Sequence, residues 1–247
     1  VYVDRVHVKK AFAEYTEVYN ADDPKIKLKI DHTYRVAALC ERIAKAAGMC
    51  AYDVELAWLS GMLHDVGRFE QIKRYNTFSD ADSVDHAKFG ADLLFKDGLI
   101  STFLKGMVKC TGYKPGALED RYDSDGVFLY DRLNKSDMEM LELAIRCHNM
   151  YRIPQGLNRR EQAFCNVLRD ADKVDIFKVN IDTPLEEIYN TTTEELMKSD
   201  ITDEVLKAFD EEHCILKAIR RTPADTVIGH VSLAYELVYD ESVRITV

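Results

Sequence analysis

The sequence lacks an apolar run long enough to cross a membrane, and no signal peptide is expected at its start. Its six cysteines show no C-x-x-C spacing and no dense framework, so a disulfide scaffold is excluded and reduced, packed thiols are indicated. Basic residues are not in excess, because the net charge is -10. Binding along a nucleic-acid backbone needs clustered lysine and arginine. We therefore expect a cytoplasmic protein without a membrane segment or a general nucleic-acid surface.

The chain also lacks an internal linker, a repeat and a low-complexity tract. Its 247 residues are enough to bury a sizeable core, and 47% hydrophobic with 31% charged residues is ordinary for a globular protein. The sequence therefore favours one domain covering residues 1–247.

Apolar residues recur at helical spacing through most of the chain, which predicts an all-α fold. An N-terminal helix is predicted within residues 4–19. Residues 25–30 alternate as a strand would, but no partner strand is evident, so we interpret them as an extended entry into the next helix. A turn signal at residues 125–126 indicates a small hairpin or irregular insert near residues 110–135.

Capping residues predict where several helices begin. One helix is expected to begin after Asp53 and to end at Gly67. A second should begin at the capping box that starts with Ser136, and a third at the cap formed by Asn158 with Glu161. Short helices should follow residue 179, and the last should run from about residue 225 to 239.

The doublet His64-Asp65 lies near the end of a mostly apolar helix. Burying an imidazole and a carboxylate together costs several kcal/mol unless a partner binds them, and a divalent metal is a common partner. A simple hydrogen bond between the two is the alternative.

Further candidate ligands lie on apolar helical stripes. His32 precedes Val36 by one turn, His86 shares a face with Phe89, and His148 ends the stripe of its helix. Such inward histidines also occur as ordinary core residues. In the run of residues 169–175, Asp172 lies nearest the buried stripe. His213 and His230 are interpreted as structural.

Taken together, the candidate residues resemble the pattern of the HD superfamily of metal-dependent phosphohydrolases over residues 32–175. That pattern is a histidine, a His-Asp doublet and a distant aspartate that follows alanine and precedes a basic residue. The two intervening histidines look like the extra pair of the two-metal members. The resemblance implies these ligands: His32, His64, Asp65, His86, His148 and Asp172.

The resemblance also implies an HD-type helical bundle with extra N-terminal and C-terminal helices, its core at about residues 26–180 and a helical extension at about 181–247. One or two divalent transition ions are implied, with Asp65 bridging the two. Mixed nitrogen and oxygen ligands suit iron, manganese, zinc, cobalt or nickel better than magnesium or calcium.

Related two-metal phosphodiesterases carry a phosphate-binding lysine where this chain has Arg68, and arginine keeps the charge and adds a planar fork. The catalytic candidates are Asp65, Arg68 and Glu70, the last as a general acid or base. The candidate phosphate contacts are Arg68, Lys73, Arg74, Lys88 and Lys173. For Glu70, Lys73 and Arg74, a plain surface position is the alternative.

The implied activity is hydrolysis of a phosphate ester or anhydride by a metal-activated water, with a small phosphorylated molecule such as a nucleotide as substrate. A homodimer is also an expectation. The His-His and Gly-Tyr-Pro elements typical of cyclic-dinucleotide phosphodiesterases do not follow His148, which argues against cyclic di-GMP. Two alternatives stay open: an HD-fold di-iron oxygenase that cleaves C-C or C-P bonds, and a non-catalytic ligand-sensing HD domain.

Overall fold

The protein is described by a computed structural model covering residues 3–20, 22–104, 135–189 and 191–247. These residues form helices joined by short connections and contain no strand, which confirms the all-α prediction. The insert predicted near residues 110–135 lies outside the described ranges, apart from Lys135. None of the helices described has the length and hydrophobicity of a transmembrane span.

The α-helices of the described residues follow one another along the chain. Their bounds are α1 (Arg5–Glu17), α2 (Pro24–Ala46), α3 (Ala51–Leu63), α4 (Val66–Tyr75), α5 (His86–Ala91), α6 (Ile100–Leu104), α7 (Lys135–Cys147), α8 (Arg159–Asp182), α9 (Leu185–Tyr189), α10 (Thr193–Lys198), α11 (Asp203–Asp210), α12 (Pro223–Val231) and α13 (Asp240–Thr246). A π-helical turn, Asp92–Lys96, continues α5, and 3₁₀ turns occur at Lys217–Ile219 and Ser232–Glu236.

The chain forms two compact units, Val1–Leu168 and Arg169–Val247. The boundary falls inside α8. The interpretation as one domain with a core at about residues 26–180 stays a prediction.

Helix α2 begins earlier than the sequence predicted. The Asp23 carboxylate caps it by accepting a hydrogen bond from the Lys25 backbone N–H at 2.8 Å, and Pro24 occupies the first helical position, where its missing N–H costs nothing. Residues 25–30 are therefore helical, and the predicted extended entry is wrong. Alternation over six residues is compatible with a helix whose buried side chains, such as Ile26 and Thr33, lie two turns apart.

Helices α2 and α3 pack closely in the first unit because a glycine lies at their contact. A Cβ atom added at Gly61 would lie 2.6 Å from the Cα atom of Ala37 and 3.1 Å from Cys40 Sγ. The core around this contact is fully buried. Its largest side chains are Phe12, Ile43, Leu56, Leu59, Met62, Leu63, Phe69, Leu94, Phe103, Leu141, Ile145 and Phe164.

The predicted N-terminal helix is confirmed as α1. Its Phe12 ring packs edge-on against Phe69 of α4, with ring centroids 5.8 Å apart. At its start, the Arg5 guanidinium donates to Glu41 of α2 at 2.6 Å and to Glu55 of α3 at 2.9 Å. Helix α1 is therefore attached to both helices of the central pair.

The helix that carries the doublet differs from its prediction at both ends. It starts at Ala51 with Cys50 as its N-cap, so Asp53 lies in the first turn instead of capping it. It ends at Leu63, and Asp65 is the N-cap of α4. Gly67 lies inside α4, where a Cβ atom would come within 2.4 Å of the His86 backbone oxygen. Gly67 thus permits close packing of α4 and α5 and does not stop a helix.

Two other predicted helix starts have different outcomes. Asn158 and Glu161 cap α8 reciprocally: Asn158 Oδ1 accepts from the Glu161 N–H at 3.0 Å, and Glu161 Oε2 accepts from the Asn158 N–H at 2.9 Å. Helix α7, however, already includes Lys135, so Ser136 is not its N-cap.

The second unit contains the short helices predicted after residue 179, but the predicted helix at residues 225–239 is broken. Helix α12 ends at Val231, a 3₁₀ turn follows, and α13 begins at Asp240. The buried Asp170 carboxylate accepts hydrogen bonds from the backbone N–H groups of Val238 at 2.9 Å and Tyr239 at 3.0 Å. These donors are satisfied by a side chain instead of a helix, which explains the break.

Candidate metal centre

Five helices of the first unit position the candidate ligands. His32 lies in the third turn of α2, His64 and Asp65 form the junction between α3 and α4, His86 is the first residue of α5, and His148 directly follows α7. All five side chains are buried. The structure thus brings together five of the six ligands implied by the resemblance. Asp172 lies on α8 in the second unit, and its ligand role stays a prediction.

The two oxygens of the Asp65 carboxylate face two separate pairs of histidines. Oδ2 lies 3.6 Å from His32 Nε2 and 3.7 Å from His64 Nε2. Oδ1 lies 3.5 Å from His86 Nε2 and 3.8 Å from His148 Nε2. Asp65 therefore lies between two groups of nitrogen donors, as a bridging carboxylate would.

Backbone carbonyls fix the tautomers of two histidines. The Nδ1–H group of His64 donates to the Gly61 oxygen at 2.8 Å, and that of His148 donates to the Ile145 oxygen at 2.7 Å. With the proton assigned to Nδ1, the Nε2 atom of each neutral ring carries a lone pair directed toward Asp65.

His86 is fixed in the same way by a carboxylate. Its Nδ1–H group donates to Asp80, with oxygens at 2.7 and 2.9 Å. Burial and the nearby charge of Arg68 lower the pKa of His86 to about 4, although the hydrogen bond to Asp80 opposes that shift. His86 is therefore neutral at pH 7 and also presents an Nε2 lone pair.

These lone pairs provide a test of whether a metal fits. The Nε2 atoms of His86 and His148 are 3.1 Å apart, and those of His32 and His64 are 3.2 Å apart. Because His86 and His148 carry their protons on Nδ1, the lone pairs on their Nε2 atoms face each other and repel, whereas a cation between them is attracted to both. In addition, Asp65 Oδ1 is buried and accepts no hydrogen bond from the described residues. This set of nitrogen donors and a buried carboxylate fits divalent transition ions.

The charge on Asp65 is stabilised in the folded protein. Burial alone would raise its pKa, but electrostatic attraction, led by that of the Lys29 ammonium group and including that of the Arg68 guanidinium, outweighs burial and holds the pKa well below its usual value. Asp65 is consequently ionised at neutral pH, which is the form that binds metals.

Asp80 is a site residue that the sequence analysis missed. Besides His86, it accepts hydrogen bonds from Arg68 Nη1 at 2.8 Å, Gln71 Nε2 at 3.1 Å and Asn149 Nδ2 at 3.3 Å. With so many donors on its two oxygens, it orients its neighbours and is not a candidate ligand. An aspartate six residues before a histidine gives no periodic signal, because the connection between α4 and α5 is irregular.

Lys29 is the second residue that was missed. Its ammonium group donates to Asp65 Oδ2 at 2.8 Å. It lies one turn before His32 on α2, so helical spacing would have placed it on the same helix face as this candidate ligand. The incorrect extended interpretation of residues 25–30 concealed that relation.

Arg68 is the predicted phosphate contact that lies at the cluster. Its Nε atom is 3.8 Å from Asp65 Oδ1 and has no hydrogen-bond partner in the described ranges. Its Nη1 group donates to Gln71, Asp80 and the Phe78 backbone oxygen. Arg68 is thus held firmly beside Asp65.

Unlike Arg68, the next three candidates have contacts among themselves: Glu70 with Lys73 and Arg74. Glu70 accepts from Tyr19 Oη at 2.7 Å and Arg74 Nε at 2.8 Å, and Lys73 Nζ lies 3.5 Å away. Burial opposes ionisation of Glu70, but the hydrogen bonds from Tyr19 and Arg74 lower its pKa below the usual value. An ionised carboxylate suits a base better than an acid. The catalytic role of Glu70 and the phosphate contacts of Lys73 and Arg74 stay predictions.

The remaining two predicted phosphate contacts have acidic partners. Lys88 Nζ is exposed and lies 2.9 Å from Asp85. Lys173 is buried in the second unit, where its Nζ atom lies 3.3 Å from Glu236. Their role in substrate binding also stays a prediction.

The HD domain family model matches residues 30–180, which is more than half of the chain. The chain therefore belongs to the HD domain family, whose members are mostly metal-dependent hydrolases. No curated protein and no solved structure matches the chain. The match includes every histidine and aspartate of the predicted ligand set, and the clustered histidines with Asp65 are compatible with divalent metal ions.

Proposed function

We propose that this protein is a metal-dependent phosphohydrolase that cleaves a phosphate ester or anhydride bond of a small molecule, with a nucleotide as the leading candidate. The observation that carries the proposal is the position of Asp65, whose two carboxylate oxygens face two buried histidine pairs. Membership of the HD domain family supports the same reaction class.

His32, His64 and Asp65 would hold one ion, and Asp65, His86 and His148 a second, while Asp172 stays the predicted sixth ligand. Bound ions of this kind supply an acidified water and neutralise phosphoryl charge. The protein supplies the fixed tautomers of His64, His86 and His148, so each imidazole can bind without first losing a proton.

Arg68 would bind the phosphoryl oxygens. Its guanidinium is fixed by three acceptors and lies beside Asp65, and its Nε–H group is left unused by the described residues. A charged, preoriented donor at the reacting group stabilises developing negative charge without having to reorganise. This position favours a phosphorylated substrate over a neutral one.

The test begins with protein purified without chelator and analysed for metal content. We expect about two transition ions per chain, as in two-metal sites. The protein is then reconstituted with Mn²⁺, Co²⁺, Zn²⁺ or Fe²⁺ and supplied with a panel of nucleotides and phosphate esters, while orthophosphate release is measured. Asp65→Asn should abolish both bound metal and release, whereas Asp82→Asn, at an exposed position, should alter neither.

The alternatives give different results in the same experiment. Oxygen uptake by the iron-loaded protein with polyols or phosphonates, without orthophosphate release, would identify an oxygenase and contradict the proposal. Stoichiometric metal without turnover in either assay would indicate a ligand-sensing domain.

A further inference from the structure

Lys29 lies at the opposite oxygen of Asp65 from Arg68. Its Nζ atom is 2.8 Å from Oδ2, the oxygen that faces His32 and His64, while Arg68 Nε is 3.8 Å from Oδ1. Each half of the candidate metal centre therefore has its own cationic side chain.

The ammonium group of Lys29 has donors to spare. An ammonium group carries three N–H donors, and Asp65 is the one hydrogen-bond acceptor that Lys29 Nζ has among the described residues. The side chain is about one-fifth exposed, whereas Asp65 is almost fully buried. The Lys29 side chain is thus more accessible to solvent than the carboxylate that it contacts.

An aromatic ring connects the two cations. Lys29 Nζ lies 6.0 Å from the centroid of the Phe78 ring, and Arg68 Cζ lies 5.9 Å from it. Both cationic groups therefore lie near the same ring, which is only partly buried. Two cations beside a partly exposed ring suit an anionic group attached to a planar or apolar body.

We propose that Lys29 is a substrate-binding residue that acts with Arg68 on the phosphoryl group of the substrate, with Phe78 contacting the part of the substrate next to it. This inference rests on the proposed phosphohydrolase function and adds a residue that neither the family pattern nor the sequence analysis assigned. A carboxylate bound to metal ions no longer needs Lys29 as its counter-ion, which leaves the ammonium group available to an anion.

A purely structural role for Lys29 predicts something different. If its only task is to orient Asp65, removing the ammonium group should weaken metal binding and leave the binding of phosphate to the loaded centre unchanged. If it binds substrate, removal should weaken phosphate binding, and metal binding should be unchanged or stronger because a nearby positive charge is lost.

The experiment uses Lys29→Met, Lys29→Arg and the control Lys27→Met in the full chain. Lys27 lies on the same helix with its side chain largely exposed, so its replacement removes the same charge outside the site. Calorimetry measures the binding of Mn²⁺ to the metal-free protein, and then of inorganic phosphate to the Mn²⁺-loaded protein. Circular dichroism checks the fold of each variant.

For Lys29→Met we expect phosphate affinity to fall by about tenfold or more, as for a lost hydrogen bond between charged groups, with Mn²⁺ affinity equal to or above that of the parent. Lys29→Arg should retain most of the phosphate affinity, which keeps the proposal testable if the methionine variant does not fold. Lys27→Met should bind both ligands as the parent does.

Equal phosphate affinity in Lys29→Met and the parent, or a loss of Mn²⁺ binding in Lys29→Met, would overturn the role of Lys29. These results leave the hydrolase proposal intact if the parent protein releases orthophosphate. Conversely, a parent that binds phosphate through Lys29 but hydrolyses no phosphate ester would contradict the proposed activity and leave the binding role standing.

Discussion

At the scale of single residues, Asp80 determines how two functional side chains are presented. The Asp80 carboxylate accepts hydrogen bonds from the Nδ1–H group of His86 and from the guanidinium of Arg68. Burial opposes its ionisation, but the hydrogen bond from His86 and the charge of Arg68 keep its pKa well below the usual value. A charged partner on the outer nitrogen of a ligand histidine fixes the tautomer and makes the inner nitrogen more basic.

Replacement of Asp80 should therefore weaken metal binding at His86 without removing a ligand. For Asp80→Asn we expect the affinity for the ion held by His86 to fall by about 10- to 100-fold, the usual loss for such a partner. Titration with Mn²⁺, with Asp82→Asn as the matched control, measures this change. Unchanged affinities for both ions would show that Asp80 serves Arg68 alone.

At the scale of helices, the site depends on close contacts made possible by glycine. The contact of α2 with α3 at Gly61 keeps His32 near His64, and the contact of α4 with α5 at Gly67 keeps Asp65 near His86. The sequence predicted most helices because their apolar stripes are long, but it placed several ends incorrectly. Ends depend on individual capping residues such as Asp23, which compete with other polar residues nearby.

Added bulk at the α2–α3 contact should destabilise the fold. A methyl group at Gly61 would overlap the backbone of Ala37, so Gly61→Ala is expected to lower the free energy of unfolding by about 1–3 kcal/mol. Ala38→Ser adds one atom on the exposed face of α2 and should change it by less than about 0.5 kcal/mol. Urea unfolding followed by circular dichroism compares the two, and equal effects would contradict the role assigned to Gly61.

At the scale of the whole molecule, the second unit carries a partly buried histidine with side-chain partners of its own, which supports the structural interpretation of His230. The His230 ring packs against Tyr189, and its Nδ1 atom lies 3.0 Å from Tyr189 Oη and 3.4 Å from Asn180 Oδ1. Burial, with the charges of Arg220 and Lys217, lowers the pKa of His230 from 6.5 to about 4. His230 therefore stays neutral in the folded unit at physiological pH.

The lower pKa of His230 in the folded protein than in the unfolded chain makes the free energy of unfolding depend on pH. Between about pH 6.5 and 4 the unfolded chain binds a proton at His230 that the folded unit does not, so stability present above pH 6.5 is lost as the pH falls. The loss from this residue should approach about 2 kcal/mol at pH 5. His230→Gln should flatten the dependence of unfolding free energy on pH between 5 and 7, whereas Ala38→Ser, which changes no titrating group, should not. An unchanged slope in His230→Gln would contradict this assignment.

The sequence by itself determined the helical class, the N-terminal helix, the order of the histidines and the burial of His64-Asp65, because apolar periodicity and a polar doublet within an apolar run are local signals. Only the tertiary structure placed Lys29 and Asp80 at the site and separated the two sides of Asp65. Lys29 and Asp65 are 36 positions apart, and Asp80 acts through an irregular connection between two helices. Such contacts depend on how helices pack and on which backbone groups need a partner, and neither property is encoded in the spacing of residues along one segment.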